Sequence, residues 1–133
     1  MQIDPGKISE YALAAALLSK NLIPLWPSSA LSKFDIAVFT PQGRAKRIQV
    51  KGTSQMSRRI QLRITDHTGK RGQGKSYSPH EVDVVALYVA YLGMFYFIPV
   101  IELGKRRYLT VCPLEESCDW KKYRNKWSVF GVA

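Results

Sequence analysis

The pattern of hydrophobic and polar residues begins with a helix. Asp4 is a suitable N-cap for a helix that starts at Pro5, and the Ala- and Leu-rich residues after it predict a helix to about Lys20. Glu10 lies three residues before Leu13, on the side that carries the apolar stripe. A carboxylate there is costly to desolvate, so we expect Glu10 either at a wet rim or beside a positive group.

The rest of the chain has mainly the pattern of strands. Alternating or continuous apolar runs predict strands at residues 22–26, 34–39, 45–51, 60–64, 82–91, 94–101 and 108–112. The spacing of Trp120, Tyr123 and Trp127 predicts a final helix, capped by Ser117 or Asp119, whose aromatic side chains pack inside. We expect one α/β (α+β) domain over residues 1–133, with a central mixed sheet of about four to six strands flanked by helices.

Basic residues are concentrated in the middle of the chain. The net charge is +10, and ten basic residues between Arg44 and Lys75 are opposed only by Asp66. This segment favours a polyanionic partner, because neutralising phosphates releases counterions. We expect DNA contacts from Lys7, Arg44, Lys46, Arg47, Arg58, Arg59, Gln61, Arg63, Lys70, Arg71 and Lys75. The last three lie in a predicted flexible basic loop at about residues 65–80. Solubility alone is the alternative explanation of the charge.

The strand at residues 60–64 bears directly on DNA recognition. Gln61 and Arg63 alternate with its apolar residues and share one face. In a major groove they could bind base edges, because Gln and Arg form paired hydrogen bonds with bases. Alternatively they contact only the phosphate backbone, which positions a protein without specifying a sequence.

Neither a membrane nor secretion is indicated. No run approaches about 18 apolar residues, and the start MQIDPGK lacks a signal-peptide pattern. We expect an intracellular protein, cytoplasmic or nucleoid-associated. Cys112 and Cys118 lack the further Cys or His ligands of a zinc site, so we expect ordinary reduced thiols.

A polar cluster is predicted on the hairpin formed by residues 34–39 and 45–51. In the second strand Arg47, Gln49 and Lys51 share one face by period two, and Asp35, at the start of the first strand, could lie beside them. The alternative is a weak cross-strand ion pair of Asp35 and Lys51 on the wet side of the sheet, with Gln49 simply exposed.

This cluster has the composition of a metal-dependent hydrolase site. Asp35, the side-chain carbonyl of Gln49 and the backbone carbonyl of Val50 are oxygen ligands suited to a hard divalent cation, and Glu10 is a further candidate. Lys51 could orient the nucleophile or stabilise the charge that develops during phosphodiester hydrolysis.

The four candidate catalytic residues, Glu10, Asp35, Gln49 and Lys51, resemble those of the PD-(D/E)XK nuclease superfamily. The pattern GK-x-SE…FD…QVK is similar to that of a small branch with an intron-encoded homing endonuclease, and the layout is similar to archaeal Holliday junction resolvases. The resemblance implies a restriction-endonuclease-like fold. It also implies a DNA endonuclease that depends on Mg²⁺, for which Mn²⁺ can substitute.

Gln49 stands where most of the superfamily has Glu or Asp. The missing charge should lower ion affinity, although the amide carbonyl remains a usable ligand, as the resembling homing endonuclease implies. We expect site-specific, homing- or restriction-like double-strand cleavage by a homo-oligomer, a dimer or tetramer, because two strands require two symmetry-related sites. A structure-specific junction resolvase and a catalytically inactive nucleic-acid-binding module on the same fold are the alternatives.

Overall fold

The first helix has the predicted position. The structure is a computed structural model in which residues 4–29, 31–65 and 74–133 are described. Helix α1 spans Pro5–Ser19, and the amide of Gly6 donates a 2.8 Å hydrogen bond to the Asp4 carboxylate, so the N-cap prediction is confirmed.

The strands form two sheets. Their bounds are Pro24–Leu25 (β1), Ile36–Phe39 (β2), Ala45–Thr53 (β3), Ile60–Arg63 (β4), Val84–Val89 (β5), Met94–Pro99 (β6) and Tyr108–Val111 (β7). The main sheet has the order β1-β2-β3-β5-β6, with β3 and β5 parallel and the other neighbours antiparallel. The predicted mixed sheet is therefore confirmed. β4 and β7 form a separate antiparallel pair, which we call the ribbon, and the short helix α2 spans Val100–Leu103.

The two faces of the main sheet are covered by different elements. Helix α1 packs on one face through a core of Leu13, Leu17, Ile36, Ile48, Val50, Val84, Ala86 and Phe97. The ribbon covers the other face through a core of Ile60, Leu62, Val85, Leu87, Tyr96, Leu109 and Val111. Successive residues of β3 and β5 alternate between these cores, as the period of two requires.

The C-terminal segment differs from its prediction. In place of one helix there are two short 3₁₀ segments, Lys121–Tyr123 and Trp127–Phe130. Asn125 interrupts the helical path with a φ of 46°, because its amide donates to the carbonyl of Phe95 at 2.7 Å and its side chain accepts from the Phe95 amide at 3.1 Å. The bond to strand β6 thus replaces a helical bond. The predicted packing role of Tyr123 is confirmed by its burial.

Two other expectations from the sequence are corrected. Strand β1 is shorter than residues 22–26, because Pro24 and Pro27 lack the N–H groups that would extend its ladder. Cys112 and Cys118 are not reduced thiols but form a disulfide, since the turn after β7 brings their Cα atoms to 5.7 Å. No helix in the described ranges is long and apolar enough to cross a membrane.

Candidate active site

Asp35 and Val50 meet where β2 begins beside β3. The amide of Asp35 donates to the carbonyl of Ile48 at 2.9 Å, one residue before β2. The Asp35 carboxylate then accepts from the amide of Val50 at 2.9 Å. The Asp35 side chain therefore accepts the hydrogen bond that a backbone carbonyl would accept if the pairing of β2 and β3 continued. Because alternate residues of a strand direct their backbone groups to the same edge, the carbonyl of Val50 points to this edge, beside Asp35.

Gln49 lies on the opposite face of β3 from Val50. It pairs in register with Val85 under the ribbon, and the residue is only 8% exposed. Its amide makes no hydrogen bond to the described part of the chain, where every fully buried side-chain oxygen and nitrogen has a partner. The amide therefore keeps some contact with solvent. The alternative of a simply exposed Gln49 is wrong.

Helix α1 brings Glu10 to the same edge. Glu10 and Asp35 line a cleft of about 210 Å³ together with Lys7 and Trp26. Burial raises the pKa of Glu10, and the negative charge of Asp35 raises that pKa further, whereas Lys7 opposes the shift. The ammonium of Lys7 lies 3.6 Å from the Glu10 carboxylate, so the expected positive neighbour is present.

Lys51 is held from the ribbon side of the sheet. Its ammonium donates to the backbone carbonyl of Thr65 at 3.3 Å and lies 5.5 Å from the ring centroid of Tyr77. The Tyr77 hydroxyl donates to the same carbonyl at 3.0 Å, and Thr65 forms an antiparallel bridge with Ser76. The sequence did not identify Thr65 or Tyr77; the only signal was one aromatic residue within a polar loop.

Arg47 belongs to a different network. Its guanidinium forms a salt bridge with Asp83 at 3.0 Å and also donates to the carbonyls of Pro79 and His80. Burial alone would raise the pKa of Asp83, but the hydrogen bonds from Arg47 outweigh it and lower that pKa. Arg47 therefore joins β3 to the segment before β5, and its contact with DNA stays a prediction.

The other predicted DNA contacts have different locations. Arg44 directly precedes β3 and Lys46 is its second residue, and Arg44 is seven residues, about 23 Å along an extended strand, from Lys51. Arg58 pairs with Glu115 at 3.0 Å. The remaining described members are Lys7 at the cleft, Arg59, Gln61 and Arg63 on or beside the ribbon, and Lys75. Lys70 and Arg71 lie outside the described residues, and all these contacts stay predictions.

The candidate site combines several kinds of oxygen atom. In the part of the chain that the structure describes, no three His, Cys, Asp or Glu residues gather in a metal-binding group. The edge of β3 instead offers Glu10, Asp35 and the Val50 carbonyl, and the ribbon face of the same strand carries the Gln49 amide and Lys51. Such a set suits a hard cation with water in its coordination shell.

An acid-lined strand edge with a fixed lysine suits a nuclease. Comparisons of this chain with known sequences and structures point to the same class of protein. The model of the PD-(D/E)XK endonuclease family matches residues 2–130, and the chain belongs to this family. It is similar to the solved structure of a bacterial homing endonuclease, I-Ssp6803I, with a TM-score of 0.71 and 19% identity. The match covers 94% of this chain and 87% of that chain, which shows a common fold. No curated protein sequence matches significantly.

Proposed function

We propose that this nuclease is a metal-dependent DNA endonuclease that cuts both strands at specific sites, in the manner of homing or restriction enzymes. The supporting observation is the convergence at one strand edge of Glu10, Asp35 and the Val50 carbonyl, with Gln49 and Lys51 on the adjoining face. Carboxylates and a lysine in this arrangement match the requirements of phosphodiester hydrolysis.

The oxygen set fits a divalent cation. Gln49 is nearly buried, yet no hydrogen bond from the described residues satisfies its amide, and the charge of Asp35 disfavours ionised Glu10. A cation would pair with the carbonyl oxygen of the Gln49 amide and relieve this repulsion. Asp35, Gln49 and the Val50 carbonyl would hold Mg²⁺ or Mn²⁺, with Glu10 as a further ligand. When bound, the ion lowers the pKa of a bound water and polarises the phosphoryl oxygen.

The protein's own contribution is a positioned positive charge. Lys51 is oriented by the Thr65 carbonyl and the ring of Tyr77, so less side-chain freedom is lost when it meets a phosphate. Its ammonium can then stabilise negative charge that accumulates on the phosphate oxygens during cleavage. Lys7, at the mouth of the cleft, adds positive charge where the DNA backbone would approach.

Assembly and location are further parts of the proposal. Cleavage of both strands of a duplex needs two active sites related by symmetry, so we propose that the chain acts as a homo-oligomer, a dimer or tetramer. Analytical ultracentrifugation of the full chain measures this directly. We also propose an intracellular location, in the cytoplasm or on the nucleoid, where a DNA substrate is available.

The proposal is tested by cleavage assays on a randomised linear duplex library and a four-way junction, side by side. With Mg²⁺ the unmodified chain should cut duplex DNA, and EDTA should abolish cleavage. Lys51→Ala should lower the rate about 10²- to 10³-fold, as expected when one stabilising donor is removed. Lys46→Ala is the matched control, since it removes the same charge from the same strand. Its main effect should be on DNA binding, where the slope of log affinity against log salt concentration should become smaller by about one.

Each other outcome points to a different function. Equal rates for Lys51→Ala and Lys46→Ala, or cleavage that survives EDTA, would contradict the assigned site. Preferential cutting of the junction would indicate a resolvase. Binding without cleavage by the unmodified chain would indicate an inactive DNA-binding module, the alternative that the neutral Gln49 favours.

A further inference from the structure

The outer face of the ribbon carries polar side chains that lie outside the candidate active site. Ile60 and Leu62 of β4 point into the core. Gln61 and Arg63, which alternate with them, are exposed. On β7, Thr110 lies directly opposite Gln61, and Tyr108, which is 52% exposed, lies opposite Arg63. The outer face therefore carries two cross-strand pairs of hydrogen-bonding side chains.

Both ends of this face are positively charged. Arg58 and Arg59 precede β4, and the exposed turn Lys105–Arg107 precedes β7. Within the described residues, Glu115 pairs with Arg58 at 3.0 Å. The surplus of positive charge favours an anionic partner, and the spread over two strands favours an extended one such as a nucleic-acid duplex.

The dimensions of the ribbon match the major groove of DNA. Two paired strands are about 5 Å apart, and four residues of a strand extend over roughly 10 Å. A major groove is about 12 Å wide and admits a two-stranded ribbon. Arg and Gln bind guanine and adenine edges bidentately, and a Thr hydroxyl can bond to several bases. The outer face thus combines groups that bind base edges with flanking groups that bind phosphate.

The ribbon is also joined to the candidate active site. Arg63 donates to the hydroxyl of Thr65 at 2.6 Å, and the carbonyl of Thr65 accepts the hydrogen bond from Lys51. The amide of Ile64 donates to the carbonyl of Arg107 at 2.8 Å, so the second strand is fixed at the same end. Base pairs held by the ribbon would therefore lie next to the phosphate that faces Lys51.

We propose that the outer face of the ribbon enters the major groove and determines sequence preference, with Thr110 and Tyr108 of β7 acting together with Gln61 and Arg63 of β4. The inference rests on the proposed DNA endonuclease function, which it deepens. It adds Tyr108 and Thr110 to the DNA-contacting residues, and it assigns the ribbon to base recognition and not only to phosphate contacts.

The experiment is Mg²⁺-dependent cleavage of a randomised duplex library, with sequencing of the cut ends. The unmodified chain should show preferred bases near the cut. The double variant Gln61→Ala/Thr110→Ala should lose about tenfold or more of that preference over a few adjacent base pairs. Tyr108→Ala should affect neighbouring positions. Since phosphate contacts remain, the salt dependence of binding should not change.

The control is Gln42→Ala, which removes an exposed amide from the turn between β2 and β3. It should keep the full sequence preference, and thermal unfolding should show that all variants are folded. Unselective cutting by the unmodified chain would overturn both the inference and the site specificity of the proposed function. Unchanged preferences in both ribbon variants would overturn the inference alone, while the endonuclease proposal would stand. If nothing is cut, that proposal fails, and selection of bound duplexes from the same library decides the ribbon's role by the same comparison.

Discussion

The two faces of the main sheet contribute to the candidate site in different ways. On the α1 face the helix lies very close to β3. A Cβ added to Gly52 of β3 would lie 1.8 Å from the hydroxyl oxygen of Ser9, the residue before Glu10. On the ribbon face Lys51 is fixed by polar contacts with Thr65 and Tyr77. The position of Glu10 is therefore set by steric packing, and that of Lys51 by hydrogen bonding and electrostatics.

Gly52→Ala should have the larger effect, because it breaks the packing on the α1 face. The added methyl group would overlap the hydroxyl and Cβ of buried Ser9, at 1.8 and 2.9 Å. Overpacking of this kind costs about 1–3 kcal/mol of folding free energy. The displaced helix should also carry Glu10 away from Asp35 and slow cleavage. Denaturant unfolding and cleavage rates measure the two effects.

The double variant Gly52→Ala/Ser9→Gly tests whether the effect of Gly52→Ala comes from the overlap with Ser9 or from a general loss of stability. Removing the Ser9 side chain leaves room for the methyl group, so cleavage should largely recover. Stability should recover only in part, because glycine lowers helix stability by about 0.5–1 kcal/mol. Ser9→Gly alone serves as the control. A double variant as slow as Gly52→Ala would show that this contact does not position Glu10.

Tyr77→Leu should have a smaller effect, confined to the ribbon face. Loss of the ring removes one of the groups that hold Lys51, worth roughly 0.5–2 kcal/mol, so kcat should fall about tenfold. Tyr77→Phe keeps the ring and loses the hydroxyl hydrogen bond to Thr65, so it should be milder. DNA affinity should change little in either variant, which distinguishes positioning of Lys51 from substrate binding.

Tyr123→Leu is the matched control for this comparison. Tyr123 belongs to the same buried core as Tyr77 but contacts Lys122 and Lys126 in place of Lys51. It should lower stability to a similar extent and leave kcat unchanged at temperatures where the chain is folded. Equal kcat losses in Tyr77→Leu and Tyr123→Leu would mean that the ring acts only through the core.

Local patterns in the sequence predicted the parts of the fold that local physics controls. The Asp4 cap, the alternation of Gln49 and Lys51 with Val50, and the continuous apolar runs of β5 and β6 all have a direct structural cause. The prediction of a C-terminal helix was wrong, because a long-range hydrogen bond between Asn125 and β6 overrides the helical spacing of the aromatic residues. The disulfide depends on a turn geometry that spacing alone does not reveal.

For the candidate site the sequence supplied the residues but not their partners. It placed Arg47, Gln49 and Lys51 on one face, and the register with β5 supports this. It could not show that Asp83 would pair with Arg47, because Asp83 is 36 residues away and only tertiary structure brings it close. The same reason applies to Thr65 and to the contact of Ser9 with Gly52.

We propose that the two faces converge on one divalent-cation site in which Gln49 supplies the neutral side-chain ligand. Isothermal titration calorimetry of Mg²⁺ and Mn²⁺ into the full chain, with and without duplex DNA, tests it most directly. We predict that the unmodified chain binds a cation, that Gln49→Glu binds it about tenfold or more tightly through the added charge, and that Asp35→Asn binds it far more weakly. Identical titrations for all three chains, or no binding even with DNA present, would contradict the account.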